Sequence, residues 1–152
     1  MKMAEFINRI PNKLPPPPEE ALRQFESELG EQLPDDYRAF VVHCNGGSLG
    51  GGVLFTGPTP SGAETSVDIH HIGGFRKESY FSLPWHLKTY REWIPKTMIW
   101  IMGDSCGNAI CLSVVGPERG RVHFWDHECG EIELLANSFA DFIELVYEPK
   151  ET

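Results

Sequence analysis

Residues 98–125 read MIWIMGDSCGNAICLSVVGPERGRVHFW, and this stretch decides the fold. It holds three apolar runs, Met98–Met102, Ala109–Val115 and Arg121–Trp125. Gly103-Asp104-Ser105-Cys106-Gly107-Asn108 separates the first two, and Gly116-Pro117-Glu118-Arg119-Gly120 the last two. Apolar runs this short, bounded by Gly, Pro, Asn and Asp, read as strands. A parallel pair needs a crossover of about a dozen residues or more, so connections this short predict an antiparallel meander.

Upstream the period changes from strand to helix. Pro15 to Pro18 form a stiff run, and Glu19 and Glu20 then meet the positive end of a helix dipole. Leu22, Phe25 and Leu29 recur at helical spacing, and Gly30 is a natural stop. Leu33-Pro34-Asp35-Asp36 opens a second helix carrying Tyr37, Phe40, Val41 and Cys44 on one stripe, ended by Asn45-Gly46-Gly47. Val53–Phe55 and Val67–Ile72 read as strands, and residues from about Leu83 to Trp93 as a short helix. Downstream, Phe139, Phe142, Ile143 and Val146 predict a helix from about Ser138 to Tyr147. The sum is an α+β fold, an antiparallel, meander-containing sheet with helices packed mainly on one face.

The chain has 152 residues, which predicts a single domain over 1–152 with a core at about 19–147. A domain of this size buries about two-thirds of its unfolded surface and needs no disulfide or metal staple. An apolar fraction of 41% excludes a disordered chain. No window approaches the roughly 18 apolar residues of a membrane span. The start, Met1-Lys2-Met3-Ala4-Glu5-Phe6, lacks the apolar run of a signal peptide. Cys44, Cys106, Cys111 and Cys129 are therefore expected as reduced, mostly buried thiols in a cytoplasmic protein.

The net charge is −9, which argues against nucleic acid or an anionic membrane as direct partners. The charge is uneven. Residues 76–97 are net +3, whereas residues 126–152 hold eight acids and only Lys150. The acidic end begins at Asp126-His127-Glu128, beside Trp125.

Motifs with chemical meaning are weak. Gly46-Gly47-Ser48-Leu49-Gly50 fits the G-x-S-x-G pattern, but a nucleophile elbow needs a strand before the serine and a helix after it. Gly50-Gly51-Gly52 lacks the Lys-Ser/Thr of a phosphate loop. His70 and His71 are adjacent, so on a strand they point to opposite faces and grip one ion poorly. No C-x-x-C pair exists. Ser48, Ser105 and Cys106 are conceivable nucleophiles, and Asp126, His127 and Glu128 could supply acid–base chemistry. Yet nothing local unites nucleophile, base and orienter. No catalytic residue, metal or cofactor is expected.

Three blocks, in order, resemble one family. The first is Phe25-Glu26-x-x-Leu29-Gly30-x-x-Leu33-Pro34-x-Asp36-Tyr37-Arg38-x-Phe40, leading to Asn45-Gly46-Gly47. The second is Ile101-x-Gly103-Asp104-x-x-Gly107-Asn108-x-Ile110-x-Leu112. The third is Val122-x-Phe124-Trp125-Asp126-His127-Glu128, followed by Ser138-Phe139-x-x-Phe142-Ile143. The chain resembles the SUKH superfamily of Smi/Knr-like domains over most of residues 20–147. The segment between Gly50 and Ile94 is where such families vary.

The resemblance implies function by binding rather than catalysis. Bacterial members resemble immunity proteins that neutralise a cognate polymorphic-toxin domain, often a nuclease. Fungal members resemble regulators of cell-wall synthesis, so a regulatory or scaffold protein-binding domain is the alternative. A nuclease presents a basic phosphate-binding surface, and an acidic inhibitor is steered to it. The expected partner is therefore a basic toxin protein. The expected binding face carries Asp126, His127, Glu128, Glu131 and Glu133. Asp104 lies in the neighbouring connection, where it serves either that face or its own turn. Trp85 or Trp125 supplies an apolar anchor, since Trp is enriched at binding hot spots.

Overall fold

The computed structural model describes residues 1–11, 14–49 and 53–149. Helices α1 (Met3–Asn8), α2 (Glu19–Leu29) and α3 (Asp35–His43) come first. Strands β1 (Gly47–Ser48), β2 (Leu54–Thr56), β3 (Ser66–Asp68) and β4 (His71–Ile72) follow. A 3₁₀ turn (Ser79–Phe81) leads into α4 (Leu83–Thr89). Then come β5 (Met98–Gly103), β6 (Ala109–Ser113), β7 (Val122–Trp125), β8 (Ile132–Ala136), α5 (Phe139–Glu144) and β9 (Val146–Tyr147).

The expected meander is the centre of a six-stranded sheet in the order β1-β4-β5-β6-β7-β8. All its pairings are antiparallel. A second sheet has the order β3-β2-β9. The architecture is α+β, as the sequence predicts.

The helix boundaries follow local chemistry. Pro18 precedes α2, whose first turn is acidic, and Gly30 closes it with φ at 79°. Glu26 Oε2 accepts from Leu33 N–H at 2.8 Å, and its Oε1 accepts from Arg38 Nε at 3.2 Å. That one carboxylate ties α2, the Leu-Pro turn and α3 together. Ser138 Oγ accepts from Asp141 N–H, and Asp36 Oδ2 accepts from Ala140 N–H, so α5 is capped partly from α3.

Aromatic side chains join the helices. Phe139 meets Tyr37 edge-on at 5.1 Å and Phe40 at 4.9 Å, and Phe142 stacks on Phe55 of β2. Such pairs add about 0.5–1.5 kcal/mol each beyond simple burial. In the central sheet, Trp100, Cys111 and His123 are paired across strands and share one face. Ile99, Leu112 and Val122 share the other. All six are buried, so the sheet is covered on both sides. Helix α4 lies on the Trp100 side, with His86 stacked on Trp100.

Several details differ from the sequence expectation. The Val67–Ile72 run divides into β3, in the second sheet, and β4, in the first. The α4 helix ends at Thr89 rather than near Trp93. Helix α5 ends at Glu144, because Val146 and Tyr147 turn extended and pair with β2. Strand β8 occupies residues to which the sequence assigned no element, and α1 precedes the expected core. Ser48 sits on a strand just after a helix, the reverse of a nucleophile elbow. The Gly50-Gly51-Gly52 run lies outside the described residues.

Candidate functional site

Two connections of the meander meet at one end of the sheet. In the β5–β6 turn, Asp104 Oδ1 accepts from the N–H groups of Cys106 and Asn108 at 2.9 and 2.8 Å. Its Oδ2 accepts from Asn108 Nδ2 at 2.8 Å. Asn108 Oδ1 in turn accepts from His127 N–H at 3.1 Å and lies 2.7 Å from His127 Nδ1. An amide oxygen only accepts, so Nδ1 carries the imidazole proton. The chain Asp104–Asn108–His127 thus fastens the β5–β6 turn to the β7–β8 hairpin. Gly107, at φ 88°, completes the junction: a Cβ there would rest about 3.5 Å from the His127 ring.

The hairpin tip is held by its own backbone. Asp126 N–H donates to the Glu131 carbonyl, Gly130 N–H to the Asp126 carbonyl, and Glu128 N–H to Asp126 Oδ1. His127, Glu128 and Glu131 are exposed on this tip and Asp126 is half-buried. Glu133 is placed differently. It pairs with Phe124, whereas Ile132 pairs with Trp125, so Glu133 and Trp125 point to opposite sheet faces. Glu133 Oε2 accepts from Thr65 Oγ1 instead.

The two tryptophans also separate. Trp125 is 6% exposed and lies edge-on to Tyr90, so its indole is core. Trp85 is 45% exposed. Ser82 positions it by capping α4, accepting from Trp85 N–H at 3.2 Å.

Beside Trp85 lies a cleft of about 350 Å³. Its buried wall is Trp100, with His86 stacked on that ring at 3.4 Å. Exposed Tyr80 and Trp85 line it together with residues of the Asp104–Asn108 turn. Two glycines permit this construction. A Cβ on Gly73 would come within 3 Å of Leu83 and Trp100, and one on Gly74 would overlap the Asn45 carbonyl. Gly74 also holds the 3₁₀ segment, exchanging backbone hydrogen bonds with Phe81 and Leu83.

The histidines of the cleft are electrically quiet. His86 is pushed down to about 4 by burial, and His71 is lowered by burial and by neighbouring His70. His86 Nδ1 lies 2.9 Å from the Ser82 carbonyl, which fixes the proton on that nitrogen. The rings of His70 and His71 meet edge-on at 4.5 Å, although adjacent strand residues were expected to diverge. His70 lies just before β4, outside regular strand geometry. Among the described residues no group of three His, Cys, Asp or Glu side chains could hold a metal ion. Cys106 and Cys129 are exposed, Cys44 and Cys111 buried.

Of the residues expected at the binding face, the structure brings together Asp104, Trp85, Asp126, His127, Glu128 and Glu131. Trp125 is withdrawn beneath this surface, and Glu133 lies on the far face. Tyr80 and His86 were not singled out in the sequence, where His71 was weighed only as a metal ligand and Trp100 only as packing. The aromatic density of His70–His71 and Tyr80-Phe81 was the available signal. Among the described residues no helix is long and apolar enough to cross a membrane.

Comparison with known proteins fits this geometry to a lineage. The chain is 30% identical over 154 residues to the SPbeta prophage-derived uncharacterized protein YokK of Bacillus subtilis (strain 168). The match covers 87% of this chain and 76% of that relative. The model of the SMI1 / KNR4 family (SUKH-1) matches residues 16–145, from the proline run to the end of α5, and the chain belongs to that family.

Proposed function

We propose that this protein acts by binding another protein, as an immunity protein that neutralises a cognate toxin domain in the cytoplasm. The observation that carries this reading is one continuous surface. On it, exposed Tyr80 and Trp85 line a cleft together with the Asp104–Asn108 turn, which is bonded through Asn108 and His127 to an acidic hairpin tip. An aromatic anchor beside a charged rim is the usual anatomy of a protein interface. The acids Asp126, Glu128 and Glu131 favour a basic partner, such as the phosphate-binding surface of a nuclease. Inhibition is by occupancy and needs no catalytic group.

The test is co-expression with each toxin domain encoded beside the gene. The expected result is rescue of growth and a stable complex that survives purification. Failure of both with every neighbouring toxin overturns the proposal. Binding to endogenous host proteins alone would favour the regulatory reading instead.

A further inference from the structure

We infer that the cleft between Trp85 and the Asp104 turn is a receptor for an arginine side chain of the partner. The inference rests on the protein-binding reading above and names the chemistry of one contact within it.

Three features point to a planar cation. First, the exposed lining residues are aromatic. Tyr80 is 54% and Trp85 45% exposed, with Trp100 and Tyr90 deeper in the cleft. A guanidinium is attracted to such faces and stacks on them, and Arg does so better than Lys because it is flat and weakly hydrated.

Second, the polar wall carries negative charge without a matching cation. Asp104 is only 8% exposed and lines the cleft. Outside the cleft lining, Asp68 Oδ2 accepts from Ser105 N–H at 3.1 Å, so a second carboxylate adjoins the same turn. Ion pairs among the described residues engage glutamates, and none involves Asp68 or Asp104. Asp104 Oδ2 accepts one hydrogen bond, which leaves it a further acceptor position. A carboxylate this deeply buried gains most from a partner that supplies both charge and a hydrogen bond.

Third, the cleft offers no competing positive charge at neutral pH. Its own titratable bases are His71 and His86, both lowered chiefly by burial, with Asp104 acting in the opposite sense on His71. Of the nearby cations, Arg76 is engaged with Phe81 and Glu78. The volume of about 350 Å³ admits an arginine side chain with room for water.

The experiment uses a small probe and needs no toxin. The full chain, labelled with nitrogen-15, is titrated with N-acetyl-arginine methylamide and, separately, with the neutral isostere N-acetyl-citrulline methylamide. The expected result is saturable shifts of the Trp85 and Trp100 indole N–H signals and of the Cys106 and Asn108 amides with arginine. Citrulline should bind at least about tenfold more weakly, because it lacks the charge. Trp85→Ala, an exposed substitution that leaves the core intact, should abolish the arginine response while the remaining spectrum stays in place. Equal responses to both probes overturn the inference, as do shifts that avoid the cleft or persist in Trp85→Ala. A failure here with successful toxin rescue leaves the protein-binding reading standing. Success here without any rescue does the reverse.

Discussion

Asp104 satisfies three donors of its own turn, and Asn108 passes that order on to His127. Removing the carboxylate strands those donors. Asp104→Ala should therefore lower stability by about 2–3 kcal/mol, read as a shift in the urea midpoint. His86 makes a second prediction at this scale. Its folded value of about 4 lies below the ordinary value of 6.5, so the unfolded chain binds more protons between those limits. Stability should be flat above about pH 6.5 and fall as pH drops toward about 4, by up to about 3 kcal/mol. His71 and His123 are lowered too and add in the same direction. His86→Phe keeps a ring against Trp100 and should flatten much of this slope in thermal melts between pH 4 and 7.

The helices show how local chemistry fixes elements and where it stops. Acidic first turns, Gly30 and Ser138 mark ends that are visible in the sequence, because caps act within a few residues. Ser138→Ala should cost about 1 kcal/mol in chemical unfolding, with Asp36 still satisfying Ala140. Strand β8 was hidden for the opposite reason. Leu134-Leu135-Ala136 favours helix, and a polar tip precedes it. Pairing with β7 overrides that preference. Val146 and Tyr147 continue the helical stripe in sequence, yet β2 recruits them as a strand. Long-range partners decided both segments.

For the whole molecule, the charge distribution governs how it meets a partner. The acid-rich residues 126–152 should steer a basic protein, so the association rate should fall severalfold as salt rises from low to about 0.5 M. A stopped-flow rate that ignores salt would remove electrostatic steering from the mechanism. Charge reversal at the exposed tip, Glu128→Lys with Glu131→Lys, should slow association at low salt with little change in stability. Trp85→Ala should act instead on the dissociation rate, because it removes a packed anchor rather than a long-range field.

Composition, turn residues and caps by themselves determined the α+β class, the meander and two of the helix boundaries. Each of these depends on interactions a few residues apart. They also placed Trp85 and the Asp126–Glu131 acids among the candidates, since exposed charge and aromatic density are properties of the chain. Which candidates share a surface was decided only by the tertiary structure. Strand alternation withdrew Trp125 into the core and sent Glu133 to the far face. The Gly73-Gly74 approach and the α4 docking then bring Tyr80 and Trp85 into one cleft with Asp104, more than fifteen residues away in the chain. A cleft is made by segments distant in sequence, and its chemistry exists only once packing has brought them together.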